Sequence, residues 1–218
     1  MPEPAPVRVR LLFAGDVMQH LPQVTAARRG DGFDYRGVFA CLRGRFRSAD
    51  LVVVNLETTL TRTDRYTGYP CFRSPVALAD ALRDAGVDVA VLANNHCCDG
   101  GAAGVRTTVA ELGRCGILHT GVFTDSLDRA ANNPLWVERY GVRFALLNYT
   151  YGTNGIPVPA GVEVNLIDTA PAYGRSEERL GPLLRGQRDE CDFIGLGGNR
   201  RHQYLDATGA AGHRRALV

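Results

Sequence analysis

The chain has 218 residues, of which 45% are hydrophobic and 22% are charged, as is typical of one sizeable globular domain. Its net charge of +2 argues against nucleic acid as a partner, because such partners usually require a strongly positive surface. All 25 basic residues are arginine, which excludes the chemistry of a Schiff-base or P-loop lysine.

The sequence carries no signal for export or for a disulfide framework. No apolar run approaches the length of a membrane span, and residues 1–6 form a short polar lead that lacks the pattern of a signal peptide. As written, the chain is expected to be cytoplasmic, or membrane-associated if an upstream anchor was lost. Its six cysteines show no CxxC spacing, which favours reduced thiols.

Strands and helices alternate through the first half of the chain. Apolar runs predict strands at 7–14, 51–56, 87–93 and 117–120. Helical spacing predicts helices at 38–46, 76–85 and 104–114. Ser74 and Pro75 are expected to start the second helix, and Gly86 is expected to end it. The polar stretch 58–67 is interpreted as a loop or hairpin.

The second half has a different pattern. Strands at 136–138 and 142–149 are predicted to form a hairpin, and 154–160 is predicted to be an extended loop. Together with the alternating first half, this indicates an α/β or mixed α+β sandwich over residues 7–169. From 170 to 218 the chain is an Arg/Gly-rich tail with one apolar patch, and it is expected to be poorly ordered.

Three of the predicted strands end in polar side chains. The first ends at Asp16, the second at Asn55 and Glu57, and the third at residues 94–96, which read Asn-Asn-His. Strand ends at one edge of a sheet are where α/β enzymes commonly carry their chemistry, which predicts one shared site. Asn55 and Glu57 are two residues apart in a strand and should face the same side.

Each of these residues also has a simpler interpretation. Asp16 could cap a helix, and Glu57 could begin a solvated loop, whereas His96 and its amide neighbours would need several partners if they were only structural. The mixture of carboxylate, amide and imidazole groups suits Mn, Fe, Zn or Mg. Cys97 and Cys98 could be soft ligands or a nucleophile, although buried spectator thiols are the simpler interpretation.

Several short motifs occur in a recognisable order. They are Gly-Asp-Val-Met at 15–18, Asn-Leu-Glu at 55–57, Phe-Arg-Ser-Pro at 72–75, Asn-Asn-His at 94–96 followed by Asp99 and Gly100, Gly-Ile at 116–117 and Leu-Asn-Tyr-Thr at 147–150. In this order and spacing the chain resembles the CapA family of bacterial capsule-synthesis (poly-γ-glutamate biosynthesis) proteins. That family belongs to the calcineurin-like metallophosphoesterase superfamily. The resemblance runs from about residue 7 to residue 169.

The resemblance implies a two-sheet β-sandwich flanked by helices, with a dinuclear centre of divalent metal ions. The residues in the positions of metal ligands are Asp16, Asn55, Glu57 and Asn95. His96 is in the position of the catalytic histidine that protonates a leaving group or holds the phosphoryl oxygen, and His20 and Asp99 are expected beside the site. In such sites the metals activate water and neutralise the charge of a phosphoryl-like transition state.

The chain departs from this family pattern near its end. The family's later strands carry His-Trp-Gly and Gly-His-x-His segments, and neither occurs here. His202 and His213 stand in contexts that do not match. The resemblance therefore implies an incomplete second sheet, a single metal site and impaired hydrolysis. A reading-frame shift soon after Thr169 is one explanation, which the nucleotide sequence beyond that codon would test.

The sequence thus predicts a CapA-like capsule or poly-γ-glutamate synthesis protein, with impaired metal-dependent phosphoester hydrolysis as its activity. The expected partners are the capsule or poly-γ-glutamate polymer, a phosphoester substrate and a membrane synthase complex. A non-catalytic accessory or polymer-binding protein is one alternative. A truncated or frameshifted inactive product is another.

Overall fold

A computed structural model describes residues 7–166 and the backbone of residues 193–197. The helices among them are α1 (Leu21–Ala26), α2 (Arg43–Arg47), α3 (Ala77–Ala85), α4 (Gly101–Arg114) and α5 (Ser126–Asn132). The strands are β1 (Leu11–Val17), β2 (Arg28–Arg29), β3 (Gly32–Phe33), β4 (Leu51–Leu56), β5 (Thr59–Thr61), β6 (Arg73–Pro75), β7 (Val89–Val91), β8 (Leu118–Thr120), β9 (Val122–Phe123), β10 (Leu135–Arg139), β11 (Val142–Tyr149), β12 (Glu163–Val164) and β13 (Phe193–Gly197).

The central sheet has four parallel strands in the order β1-β4-β7-β8. Strand β4 is apolar on both faces, as expected for a parallel strand that is covered on both sides. Val52 and Val54 pack with the core residues of α2, α3 and α4, whereas Leu51 and Val53 pack in a second cluster on the opposite face. The sheet therefore lies between a layer of helices and another layer of the protein.

A second sheet, in the order β10-β11-β13, forms that other layer. Strand β11 runs antiparallel to β10 and parallel to β13. Leu135, Val137 and Leu146 of this sheet pack with Leu51 and Val53 of β4. The two sheets thus lie face to face with helices outside the larger one, which confirms the predicted α+β class.

Asn148 of β11 joins the two sheets close to the end of β7. Its Oδ1 accepts a hydrogen bond from the backbone nitrogen of Ala93 at 2.5 Å, and its Nδ2 donates to the carbonyl oxygen of Ala93 at 3.2 Å. The side chain therefore mimics a neighbouring strand. It fixes the backbone immediately before the Asn-Asn-His segment at residues 94–96.

Several local predictions are confirmed. The hairpin of β10 and β11 turns at Tyr140 and Gly141, whose φ angles of 52° and 81° are typical of a type I′ turn. Helix α3 ends at Gly86, which has φ of 106° and is the left-handed residue expected at a helix end. Residues 154–160 contain neither helix nor strand.

Other local predictions were wrong, because long-range contacts decide these segments. Ser74 and Pro75 belong to β6 and pair with β5, so helix α3 begins after them at Ala77. The Ser74 hydroxyl contacts that of Thr58 at 2.9 Å and caps no helix. The stretch 58–67 contains β5, which pairs in parallel with β6 and forms no hairpin of its own.

The helix predicted over 38–46 is mostly a series of turns, and only Arg43–Arg47 is helical. Backbone bonds from Val38 to Tyr35 and from Leu42 to Phe39 span three residues, which is the spacing of a turn. Phe39 is buried all the same, so the apolar spacing reflects burial and not a continuous helix.

The expected domain boundary at residue 169 lies outside the described residues, as do His202 and His213. The tail predicted from 170 to 218 is described only at β13, which contains the apolar patch and pairs with β11. Between residues 7 and 166, no helix combines the length and the apolar character needed to cross a membrane.

Candidate functional site

The ends of β1 and β4 bring two carboxylates close together. A bulge between Ala14 and Asp16 interrupts β1, after which Asp16 lies opposite Asn55 of β4. The Nδ2 atom of Asn55 donates to Asp16 Oδ1 at 2.9 Å and to Glu57 Oε2 at 3.0 Å. Asn55 and Glu57 therefore face the same side, as their spacing predicted.

The pair of carboxylates is electrostatically strained. Glu57 is only 2% exposed, whereas Asp16 is open to solvent. Burial, and then the negative charge of Asp16, raise the pKa of Glu57 to about 7. Near neutral pH the ionised form of Glu57 is therefore disfavoured, and a cation beside the pair would stabilise it.

Asn94 links this pair to the end of β7. It is fully buried, and its Nδ2 donates to Asn55 Oδ1 at 3.1 Å and to the carbonyl oxygen of Leu56 at 2.9 Å. Its Oδ1 accepts from the backbone nitrogen of His96 at 3.0 Å. Asn94 thus positions both the end of β4, with Asn55, and the backbone of His96. Its place beside Asn95 in the sequence did not reveal this role.

His96 forms a buried pair with Asp99. Its Nδ1 lies 2.8 Å from Asp99 Oδ2, which also accepts from the backbone nitrogen of Phe72 at 2.5 Å. Burial raises the pKa of Asp99, while the contacts with Phe72 and His96 oppose the shift. When Asp99 is ionised, Nδ1 of His96 carries the hydrogen and Nε2 is the nitrogen that remains for a substrate.

Phe72 separates His96 from His20. Its ring meets that of His96 edge to face at 4.7 Å between centroids, and that of His20 at 5.0 Å. His20 is exposed, with its backbone nitrogen donating to Gln23 Oε1 at 2.7 Å. His20 therefore lies near the site but contacts the catalytic candidate only through an aromatic ring.

Asn95 was expected to be a metal ligand, but its amide nitrogen contacts Asn154 and not the carboxylate pair. It is half-buried, and its Nδ2 donates to Asn154 Oδ1 at 3.3 Å. Asn154 belongs to the loop that follows β11, and its Nδ2 also contacts the ring of His96. Nothing in the sequence singles out Asn154, because the contact spans 58 residues of chain.

The neighbouring cysteines belong to the core. Cys97 and Cys98 are 6% and 1% exposed, with their sulfur atoms 3.8 Å apart. The contact with Cys98, and then burial, raise the pKa of the Cys97 thiol. A buried thiol that is harder to ionise is a poor nucleophile, which favours the spectator interpretation for Cys97.

The groups of this site that a hard cation would need are the carboxylates of Asp16 and Glu57. Within residues 7–166 no three side chains of His, Cys, Asp or Glu group in a way that could hold a metal. Asp16 and Glu57 nevertheless supply two carboxylates that share the amide nitrogen of Asn55, and the charge of Asp16 adds to burial in raising the pKa of Glu57. Carboxylate and carbonyl oxygens are the ligands that Mg²⁺ and Mn²⁺ prefer.

The family model of the bacterial capsule synthesis protein PGA_cap matches residues 10–182. The matched segment contains all three strand ends of the site and continues beyond Thr169. A search of curated proteins found no match. The family resemblance of the sequence motifs is thereby confirmed, and the chain belongs to the family of bacterial capsule synthesis proteins.

Proposed function

We propose that this chain serves capsule synthesis by metal-assisted hydrolysis of a phosphoester linked to the capsule or poly-γ-glutamate polymer. The observation that carries the proposal is the hydrogen-bonded group of Asp16, Asn55 and Glu57 beside the His96–Asp99 pair. Carboxylates that attract a cation and an imidazole held by a carboxylate are the two components of metal-assisted acid–base hydrolysis.

Asp16 and Glu57 would hold one divalent cation, of Mn, Fe, Zn or Mg. Asn95 would be a further ligand through its Oδ1, the amide atom that it does not use in its bond to Asn154. When bound, the cation would polarise a phosphoryl oxygen and lower the pKa of a water molecule. Glu57 would bind the cation as an ionised carboxylate. Because burial raises the pKa of Glu57, binding of the cation near neutral pH would release a proton from this residue. Metal affinity should therefore rise with pH between about 6 and 8.

His96 would donate a proton from Nε2 to the leaving oxygen. Asp99 holds the opposite ring nitrogen at 2.8 Å and stabilises the positive charge of the imidazolium. Phe72 packs its ring against His96 and its backbone nitrogen against Asp99, which fixes both members of the pair. The protein thus presents a rigid acid beside the strand end that carries the carboxylates.

A second candidate is a non-catalytic accessory protein that binds polymer or a membrane synthase. Asn55 donates to both carboxylates at hydrogen-bond distance, so these groups have a partner without a cation. This favours a site that keeps the family's fold while it serves recognition. The two candidate functions differ in the role of His96. In the first it is needed for turnover, and in the second it only supports the structure of the binding site.

Metal content and turnover of the full chain would test the proposal. The protein is freed of metal by a chelator, reloaded with Mn²⁺, Mg²⁺, Zn²⁺ or Fe²⁺, and assayed with bis(p-nitrophenyl) phosphate. We expect bound metal that is lost in Asp16→Asn, and turnover that is lost in His96→Asn. His119→Asn, which changes a buried histidine outside this site, should keep both. Polymer binding without turnover under any metal would establish the accessory function instead.

A further inference from the structure

We propose that Asn154 is a substrate-positioning residue, whose amide donates to the phosphoryl oxygen next to the group that His96 protonates. This inference deepens the proposed function and rests on it. Asn154 lies outside the strand ends and outside the motifs that carry the family resemblance. Its assignment comes from contacts made by the loop between β11 and β12.

The first observation is the position of the Asn154 amide relative to the ring of His96. Its Nδ2 atom lies 3.4 Å from Nδ1 and 3.5 Å from Nε2. An atom almost equidistant from the two ring nitrogens is in line with the lone-pair direction of neither nitrogen. The Nδ1 direction is already taken by Asp99 at 2.8 Å, so Nε2 keeps its own direction for a substrate.

The second observation is that the amide touches both site residues at the end of β7. Its Oδ1 accepts from Asn95 Nδ2 at 3.3 Å while its Nδ2 faces His96. Asn154 is nevertheless an exposed residue, in contrast to Asn94 and His96, which are buried. A ligand that arrives from solvent therefore meets Asn154 as it reaches His96.

The third observation is that the backbone holds this amide in place. Asn154 and Gly155 have φ angles of 53° and 75°, and the nitrogen of Ile156 donates to the carbonyl oxygen of Thr153 at 2.9 Å. These features define a tight type I′ turn with Asn154 at its first central position. The Thr153 hydroxyl adds a bond of 2.6 Å to the carbonyl oxygen of Ile156. The backbone that bears Asn154 therefore needs little further ordering when a substrate binds.

Together these contacts define what Asn154 can recognise. A phosphoryl group whose leaving oxygen takes a proton from Nε2 of His96 can bring its neighbouring oxygens within hydrogen-bond reach of the Asn154 amide, which lies 3.5 Å from Nε2. A side-chain amide offers two N–H donors, which suit the anionic oxygens of a phosphoryl group. Binding of such a group would replace the long contacts with His96 by stronger bonds to a charged acceptor.

The test compares Asn154→Gly and Asn154→Asp with the wild-type full chain loaded with Mn²⁺. Glycine keeps the left-handed backbone and removes the amide, whereas aspartate keeps the shape and places negative charge beside the phosphoryl group. Tyr140→Gly is the matched control, because Tyr140 also has positive φ but lies in the β10–β11 turn. The readouts are kcat and KM for bis(p-nitrophenyl) phosphate, calorimetric binding of orthophosphate, metal content and Tm.

We expect Asn154→Gly to raise KM and the Kd for orthophosphate about tenfold, as for one lost hydrogen bond to a charged group, with Asn154→Asp more affected. Metal content and Tm should stay at the wild-type values, and Tyr140→Gly should leave KM unchanged. An unchanged or lowered KM and Kd in Asn154→Gly would overturn this proposal alone. Wild-type protein that neither turns over the diester nor binds orthophosphate would refute the proposed function and this inference with it.

Discussion

Asp16 lies opposite Asn55 in the pairing of β1 with β4, and the Asn55 amide donates to its carboxylate at 2.9 Å. The strands pair one for one from Leu11 to Ala14, and a bulge then shifts the register before Asp16. Paired residues of neighbouring strands face the same side of a sheet, so the bulge sets Asp16 beside Asn55 and hence beside Glu57. The carboxylate pair depends on this irregularity as much as on the strands themselves.

Replacement of Asn55 by leucine should destabilise the metal-free protein. Leucine has nearly the same size but donates no hydrogen bond, so Asp16 and Glu57 lose their shared donor and Asn94 loses an acceptor. We expect the free energy of unfolding at pH 8 to fall by about 1–3 kcal/mol in urea denaturation. Asn95→Leu removes one 3.3 Å contact and should cost clearly less. Equal losses would contradict this role of Asn55.

The stability of the metal-free protein should depend on pH through Glu57. Its folded-state pKa of about 7 lies above the usual 4.5, so folded Glu57 holds its proton more tightly than unfolded Glu57 does. The resulting stabilisation is complete below pH 4.5 and is lost as the pH rises through about 7. It amounts to no more than about 3 kcal/mol.

Glu57→Gln isolates this effect, because glutamine cannot ionise. The difference in unfolding free energy between wild type and variant should change between pH 5 and pH 8, to the disadvantage of the wild type at pH 8. Asp16 and Asp99 face Glu57 and share its environment, so the same measurement in Asp16→Asn should show a smaller slope. A difference that does not vary with pH would show that Glu57 has an ordinary pKa in the folded state.

Much of the fold could be predicted because its signals are local. The β10–β11 hairpin follows from Tyr140 and Gly141 between two apolar strands, and the end of α3 follows from Gly86. The pairing of β5 with β6 could not be predicted in this way. Thr59 and Arg73 are paired although a long polar loop separates them, and no local pattern encodes that pairing.

The residues of the candidate site also differ in whether a local sequence signal could identify them. Asp16, Glu57 and His96 were predicted because they follow apolar runs that indicate strands, and the ends of such strands meet at one edge of a sheet. Asn94 and Asn154 have roles that only the fold defines. Asn94 shares its sequence context with Asn95 but is fully buried, and Asn154 reaches His96 from a turn 58 residues away.

Gly121 should be indispensable for joining the two sheets. A Cβ atom there would lie 2.1 Å from Oδ1 of Asn148 and 2.8 Å from the backbone nitrogen of Ala93, and its φ of +95° disfavours any side chain. Gly121→Ala must therefore break the bonds between Asn148 and Ala93. We expect a loss of more than about 3 kcal/mol in unfolding free energy, or failure to fold.

Gly113→Ala is the matched control for this substitution. Gly113 lies in α4, where a Cβ would meet nothing within 4 Å. Alanine is favoured over glycine in a helix, so this variant should gain about 0.5–1 kcal/mol. Denaturation of both variants measures the difference, and a loss in Gly121→Ala no larger than about 1 kcal/mol would show that the second sheet can move aside.

The His96–Asp99 pair should matter for turnover, and a second pair of the same chemistry supplies the comparison. His119 and Asp128 are also in contact, at 3.2 Å, where Asp128 Oδ2 additionally accepts from the backbone nitrogen of Thr124 at 2.8 Å. Burial lowers the pKa of His119, in keeping with a neutral structural histidine. The two pairs therefore contain the same residue types in different settings.

Asp99→Asn should lower kcat for bis(p-nitrophenyl) phosphate by about 10²-fold or more, because the imidazolium of His96 loses its counter-charge when it acts as an acid. The amide oxygen of asparagine can still accept from the Phe72 nitrogen, so Tm should fall only slightly. Asp128→Asn should do the reverse, with a lower Tm and an unchanged kcat. Steady-state kinetics and thermal unfolding of both variants decide the matter. A similar loss of kcat in both would mean that stability, and not the charge beside His96, sets the rate.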